Sequence, residues 1–125
     1  MNLLERNDTN AVAHLRMNAP ERLNALSEEM LTALQAELDA LKEDRSIRAV
    51  VLSGAGKAFC AGHDLKQMTA GRQAEDGGKA YFNDLFAQCA RMMLSIRALP
   101  QPVIAAPHGI ATAAGCQLVA TCDMA

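Results

Sequence analysis

Apolar positions recur along this chain with two periods, and the switches between them lay out its elements. Residues 3–7 and 11–17 read as two short strands around Asp8-Thr9-Asn10, a turn-forming triplet, and predict an N-terminal hairpin. Residues 18–22, Asn-Ala-Pro-Glu-Arg, make a connecting loop. Ser27 is placed to cap a helix, with Glu28 and Glu29 at the positive end of its dipole. Met30, Leu31, Leu34, Leu38 and Leu41 then fall on one stripe at helical spacing, and the helix is expected to end near Asp44. Residues 47–53 are apolar without a break for most of their length, which predicts a parallel strand covered on both faces. The polar, glycine-containing stretch 69–78 predicts a mobile connection. Within 76–99 lies a long helix whose apolar face carries Tyr81, Phe82, Leu85, Phe86, Cys89, Met92, Met93 and Ile96, ended by Pro100 and Pro102. Residues 103–106 predict a strand and 113–122 a helix. Strand and helix in alternation imply right-handed crossovers and a mostly parallel sheet, an α/β fold.

Two of the apolar runs lead directly into loops of small residues. Ala49-Val50-Val51-Leu52 precedes Gly56-Lys57-Ala58-Phe59-Cys60-Ala61-Gly62-His63-Asp64, and Val103-Ile104-Ala105-Ala106 precedes residues 109–118, Gly-Ile-Ala-Thr-Ala-Ala-Gly-Cys-Gln-Leu. Gly and Ala let a backbone approach a ligand closely. Two such units in one chain can aim two backbone N–H groups at one point, the architecture of an oxyanion hole.

Phe59-Cys60-Ala61-Gly62-His63-Asp64-Leu65 also resembles the Phe-x-Ala-Gly-x-Asp-Leu/Ile signature of the crotonase (enoyl-CoA hydratase/isomerase) superfamily. Arg22-Leu23-Asn24-Ala25-Leu26 is similar to that family's Asn-Ala-Leu segment, and Pro102-Val103-Ile104-Ala105-Ala106 with residues 109–123 is similar to its second conserved block. The blocks occur in the family's order and approximate spacing and span nearly the whole chain. The resemblance implies a crotonase-like spiral of repeated ββα units. Residues 1–125 would be its N-terminal part, with the C-terminal half and the trimerisation helices absent. The chain stops soon after an apolar helix-like run, without the polar linker that usually marks a domain boundary, and is expected to be a truncated form.

By the same resemblance the ligand is an acyl-CoA thioester; coenzyme A is part of the substrate and no separate cofactor is implied. The backbone N–H groups of His63 and Ala114 are expected to hold the thioester oxygen, Ala113-Ala114-Gly115 standing where many members have Gly-Gly-Gly. Arg22, Leu23, Ala25, Ala61, Asp64 and Leu65 are expected at the substrate site. Arg22 would meet a CoA phosphate or be simply solvated, as would Lys66, and Asp64 would support the loop rather than act as a base. Gln117 is the departure. Hydratases carry a Glu here, in Gly-Cys-Glu-Leu, and pair it with a second Glu; an amide holds water but takes no proton at neutral pH. Two readings therefore stand: an enoyl-CoA hydratase/isomerase that stabilises a thioester enolate, and a crotonase-like pseudoenzyme or acyl-CoA binding protein without hydratase activity. At full length the family's homotrimers or hexamers are the expected assembly.

Composition excludes other classes. The 125 residues, 50% of them hydrophobic, suffice for one small domain. A net charge of −2 with one Tyr and three Phe offers neither a basic stripe nor a base-stacking platform, so no nucleic-acid partner is expected. No apolar run approaches a membrane span. Met1-Asn2-Leu3-Leu4-Glu5-Arg6 is too short and too charged for a signal peptide, and a cytoplasmic location is expected. Cys60, Cys89, Cys116 and Cys122 lack zinc-ligand spacing and read as buried free thiols, with no metal site. Gly54-Ala55-Gly56-Lys57 invites a nucleotide reading, but Val51 and Ala58 stand where a P-loop needs Gly and Ser/Thr, and Phe59 where a dinucleotide loop needs Gly. The His63 side chain has no identified carboxylate partner and reads as structural or exposed, and His14 and His108 carry no signal beyond core or surface.

Overall fold

The computed structural model describes residues 2–125. Four strands form one sheet in the order β1 (Leu4–Thr9), β2 (Val12–Met17), β3 (Ala49–Gly54) and β4 (Val103–Ala105). β1 and β2 are antiparallel and stay paired to Thr9↔Val12, so their turn is the two residues Asn10 and Ala11, with φ of 53° and 64°. Positive φ at both centres matches the twist of the flanking strands, which is why the turn closes later and tighter than Asp8-Thr9-Asn10 suggests. β2 pairs with β3, and β3 with β4, in parallel. The first crossover carries α1 (Glu28–Lys42); the second carries α2 (Leu65–Gly71) and α3 (Lys79–Ala98). After α4 (Ala114–Thr121) the chain returns along β4, the Asp123 N–H donating to the Val103 carbonyl at 2.9 Å and the Ala105 N–H to that of Met124 at 2.8 Å.

The Ser27 hydroxyl accepts the Met30 N–H at 3.1 Å and fixes the start of α1. The whole α1 stripe is buried, from Met30 to Leu41. It shares one core with Ala13, Leu15 and Met17 of β2, Val50 and Leu52 of β3, and Leu85, Cys89, Met92, Met93 and Ile96 of α3. Each large apolar side chain buried in this way contributes about 1.5–3 kcal/mol, so this helix-covered face carries most of the cohesion. Coverage of β3 on both faces is not found: Val50 and Leu52 are buried, while Val51 and Ser53 stay half-buried on the other face. That face also bears the exposed His14 and Arg16 of β2.

Further differences from expectation have local causes. Asp64 accepts the N–H groups of Lys66 and Gln67 at 2.9 and 3.1 Å and so starts α2, a helix that was not expected and that runs into the first residues of the stretch 69–78. α3 lies within 76–99 as expected; Gly77 and Gly78, at φ of 71° and 93°, precede its start at Lys79, and Asp76 accepts from Gly78 and Ala80 across that entry. Phe86, placed on the apolar face of α3, is 49% exposed. Among the described residues no helix is long and apolar enough to cross a membrane, and no group of three or more His, Cys, Asp or Glu is arranged to hold a metal.

All four cysteines are free, but Cys116 is exposed, because the buried side of α4 is taken by Ala114, Gly115 and Leu118. Burial pushes the Cys60 and Cys89 thiols up, and Cys122 to about 11. A disulfide reagent added to the folded chain is expected to consume one equivalent quickly, at Cys116, and the other three only on unfolding. Two or more fast equivalents would contradict the packing described.

Candidate functional site

β2, β3 and β4 run in the same direction, so their carboxyl ends release three loops along one edge, residues 18–27, 55–64 and 106–113. Open α/β sheets bind ligands at that edge. The middle loop is laced to both neighbours. Its Phe59 and Cys60 N–H groups donate to the Ile110 carbonyl at 2.9 and 3.2 Å, and its Cys60 carbonyl accepts from Thr112 at 3.1 Å. On the other side Ala61 donates to Leu23 at 3.0 Å and Leu26 donates to Gly62 at 2.7 Å.

A single buried amide locks this arrangement. Asn24, fully buried at φ 53°, accepts the Ala19 N–H at 2.9 Å. Its Nδ2 donates to the carbonyls of Ala55, Ala58 and Phe59 at 2.9, 3.1 and 3.1 Å. In the sequence Asn24 is only one letter of the Arg22–Leu26 motif. The available signal was chemical: a short amide that tolerates the left-handed region and carries both donors and an acceptor.

Gly62 brings the middle loop against the start of α4. It sits at φ 96°, and a Cβ on it would stand 3.0 Å from the Ala113 Cβ and 3.3 Å from the Ala114 nitrogen. A Cβ on Gly115 would collide with the Cys60 carbonyl, so the small residues are required by packing as well as by access. Among the described residues neither the His63 N–H nor the Ala114 N–H has an acceptor. Ala114 is the first residue of α4 and is 8% exposed, so its N–H is one of the helix's orphan donors on a largely buried residue. Leaving such a donor unpaired costs about 1–3 kcal/mol.

Ala113 turns the chain into α4 at φ 52° and ψ −126°, a region that suits glycine. A non-glycine residue there stores about 1–3 kcal/mol. Ala113→Gly is expected to raise stability by about 1 kcal/mol after the added freedom of the unfolded chain is subtracted. A denaturation midpoint that falls or stays put would show that this backbone is not strained.

Arg22, Leu23, Ala25, Ala61, His63, Asp64 and Leu65 all line one cleft of about 260 Å³, joined by Glu21 and Lys66. Arg22 Nη1 lies 3.5 Å from Asp64 Oδ2; Asp64 is buried and Arg22 is half exposed at the rim. Asp64 thus braces the loop, caps α2 and holds Arg22 by charge. The His63 ring packs on Phe86, centroids 5.6 Å apart at 59°, and its Nδ1 is buried with no hydrogen-bond partner. Ala114 and Gln117 are outside the cleft lining. Gln117 is exposed on α4, three residues after Ala114 and so on the same side of the helix. Roomier hollows of about 500 and 630 Å³ lie at the end of α1 and on the open sheet face, away from these loops.

The sequence model of the Enoyl-CoA hydratase/isomerase family matches residues 7–125. Enoyl-CoA hydratase domain-containing protein 3, mitochondrial, of Xenopus laevis is 41% identical over 114 residues, covering 91% of this chain and 37% of that protein. The mouse mitochondrial Delta(3,5)-Delta(2,4)-dienoyl-CoA isomerase is 36% identical over 118 residues, covering 90% and 36%. The crystal structure of an enoyl-CoA hydratase from Mycobacterium smegmatis superposes with a TM-score of 0.91 at 54% identity, covering 98% of this chain and 46% of that one. The fold is therefore the N-terminal portion of a crotonase-like α/β architecture. The chain belongs to the enoyl-CoA hydratase/isomerase family, as the motifs led us to expect, and spans less than half the length of these relatives.

Proposed function

We propose that this site binds an acyl-CoA thioester and polarises its carbonyl through the N–H groups of His63 and Ala114. The observation that carries the reading is the pair of acceptor-less N–H groups on two loops in van der Waals contact. One of them opens a helix, whose dipole favours the negative charge of an enolate. Donors of this kind are worth about 3–4 kcal/mol each in a transition state. The cleft is smaller than most ligand sites, which suits the reacting end of a thioester, with Arg22 at the rim for a CoA phosphate. No metal or separate cofactor enters this reading.

Carbonyl polarisation has a direct readout. Infrared difference spectra of bound crotonyl-CoA are expected to show the thioester C=O stretch moved to lower frequency. Binding with an unshifted carbonyl would remove the oxyanion role, and absence of binding would remove the whole proposal.

Gln117 favours a second reading for the chemistry, thioester binding without hydration. In a full-length protein we propose a homotrimer or hexamer, for which the exposed Leu94, Ile110 and Met124 supply apolar surface. We also propose a cytoplasmic location; fractionation of cells tests it against the mitochondrial one named for several relatives.

A further inference from the structure

We propose that the His63 imidazole is a specificity-determining donor, selecting acyl groups that carry a carbonyl-type oxygen next to the thioester. The inference rests on the thioester reading of the site and goes beyond it, because that reading uses only the His63 main chain.

The argument begins with the two ring nitrogens. Nδ1 is buried and has no hydrogen-bond partner. A proton there would be an orphan donor, and orphaned buried N–H groups are rarer in folded proteins than unmet acceptors. Under the proposal the ring proton is therefore placed on Nε2. Nε2 has no hydrogen-bond partner among the described residues and is not one of their buried unpaired atoms, so it reaches open space. His63 lines the cleft, and under the proposal Nε2 is directed toward it.

The ring is also held in place. It packs at a tilt against Phe86, which in turn stacks on Phe82 at 5.9 Å. Its backbone is fixed through the Leu26 N–H to the Gly62 carbonyl and the bridge between Leu26 and His63. A donor fixed in this way loses little freedom on binding. Because ring and N–H belong to one residue, a thioester oxygen on the N–H confines the ring's reach to the first atoms of the acyl chain. A 3-oxoacyl group places a pure acceptor there. A saturated chain of equal length leaves the Nε2–H desolvated and unpaired, which is how a polar site rejects an analogue lacking the matching group.

The test compares acetoacetyl-CoA with butyryl-CoA, in the unaltered chain and in His63→Phe, by isothermal titration. The variant keeps a ring against Phe86 and removes the donor. The unaltered chain is expected to prefer acetoacetyl-CoA about tenfold, the worth of one good hydrogen bond, and the preference is expected to fall below about threefold in the variant. Reading a ratio within each protein cancels any effect of the substitution on thioesters in general. An equal preference in both proteins, or none in the unaltered chain, overturns the proposal. Long-range 1H–15N correlations of the free protein give an independent check, since an Nδ1–H tautomer overturns it even where the variant fails to fold. If neither thioester binds, the thioester reading falls and this inference with it; butyryl-CoA bound without discrimination sinks the inference alone.

Discussion

An Asn24→Asp chain is expected to lose about 5 kcal/mol of stability, enough to leave much of a marginally stable domain unfolded. The change is nearly isosteric, so packing is not the cause. Three carbonyls, of Ala55, Ala58 and Phe59, now share the two protons of one buried NH2. A carboxylate presents only acceptors to them, which leaves each without that donor at about 1 kcal/mol or more and adds the cost of a buried, unpaired charge. Asn24→Ala removes the same donors and the acceptor for Ala19, but introduces no charge, and is expected to cost about 3 kcal/mol. Exposed Asn7 is the control, where Asp is expected to change stability by less than about 0.5 kcal/mol. Urea denaturation midpoints of the set provide the measurement. Equal midpoints for Asn24→Asp and Asn7→Asp would show that the clasp does not hold the loops. Because those loops position His63 and Ala61, any folded fraction of the Asn24 variants is also expected to bind ligand more weakly.

The elements legible in the sequence were those with long periodic patterns. The α1 stripe has five apolar positions on one face, and all of them are buried. α2 was missed because its seven residues include no buried position, and its capping residue Asp64 was already accounted for by a motif. Phe86 and Cys116 were misjudged for one shared reason. Periodicity tells which residues are apolar, but the edge of a buried stripe depends on what packs against it, and that is a tertiary fact. The positions from Arg22 to Leu65 were singled out only through the family resemblance, and the structure gathers them on one cleft. The Asn24 clasp was not legible. Its partners are main-chain carbonyls 31, 34 and 35 positions away, and a main-chain acceptor leaves no trace in residue identity.

Crotonyl-CoA is expected to bind the protein but to be hydrated slowly or not at all, and Gln117→Glu is expected to raise hydration at least tenfold. Binding and hydration separate because they draw on different groups. Binding, as proposed, uses the N–H groups of His63 and Ala114 and the shape of the loops, none of which depends on the side chain at position 117. Hydration requires a group that takes a proton from water and returns one to carbon, and an amide does neither. The placement of Gln117 is suited to the substitution. It is exposed, three residues along α4 from Ala114, and helical side chains lean toward the N-terminus, so a carboxylate there leans toward the Ala114 N–H. Exposure also keeps that carboxylate solvated and ionised at neutral pH, ready to act as a base. A positioned acid–base group typically contributes about 100–10,000-fold, and a tenfold rise, about 1.4 kcal/mol, is the modest end expected where its partner acid is not tuned to it. The measurement is loss of the enoyl absorbance under saturating crotonyl-CoA, on a protein that extends beyond Ala125 and includes the second carboxylate that the resemblance implies. Fast hydration by the unaltered protein would assign the proton transfers to another residue and end the case for Gln117. Unchanged hydration in Gln117→Glu, with crotonyl-CoA still bound, would mean that position 117 does not face the reacting carbon.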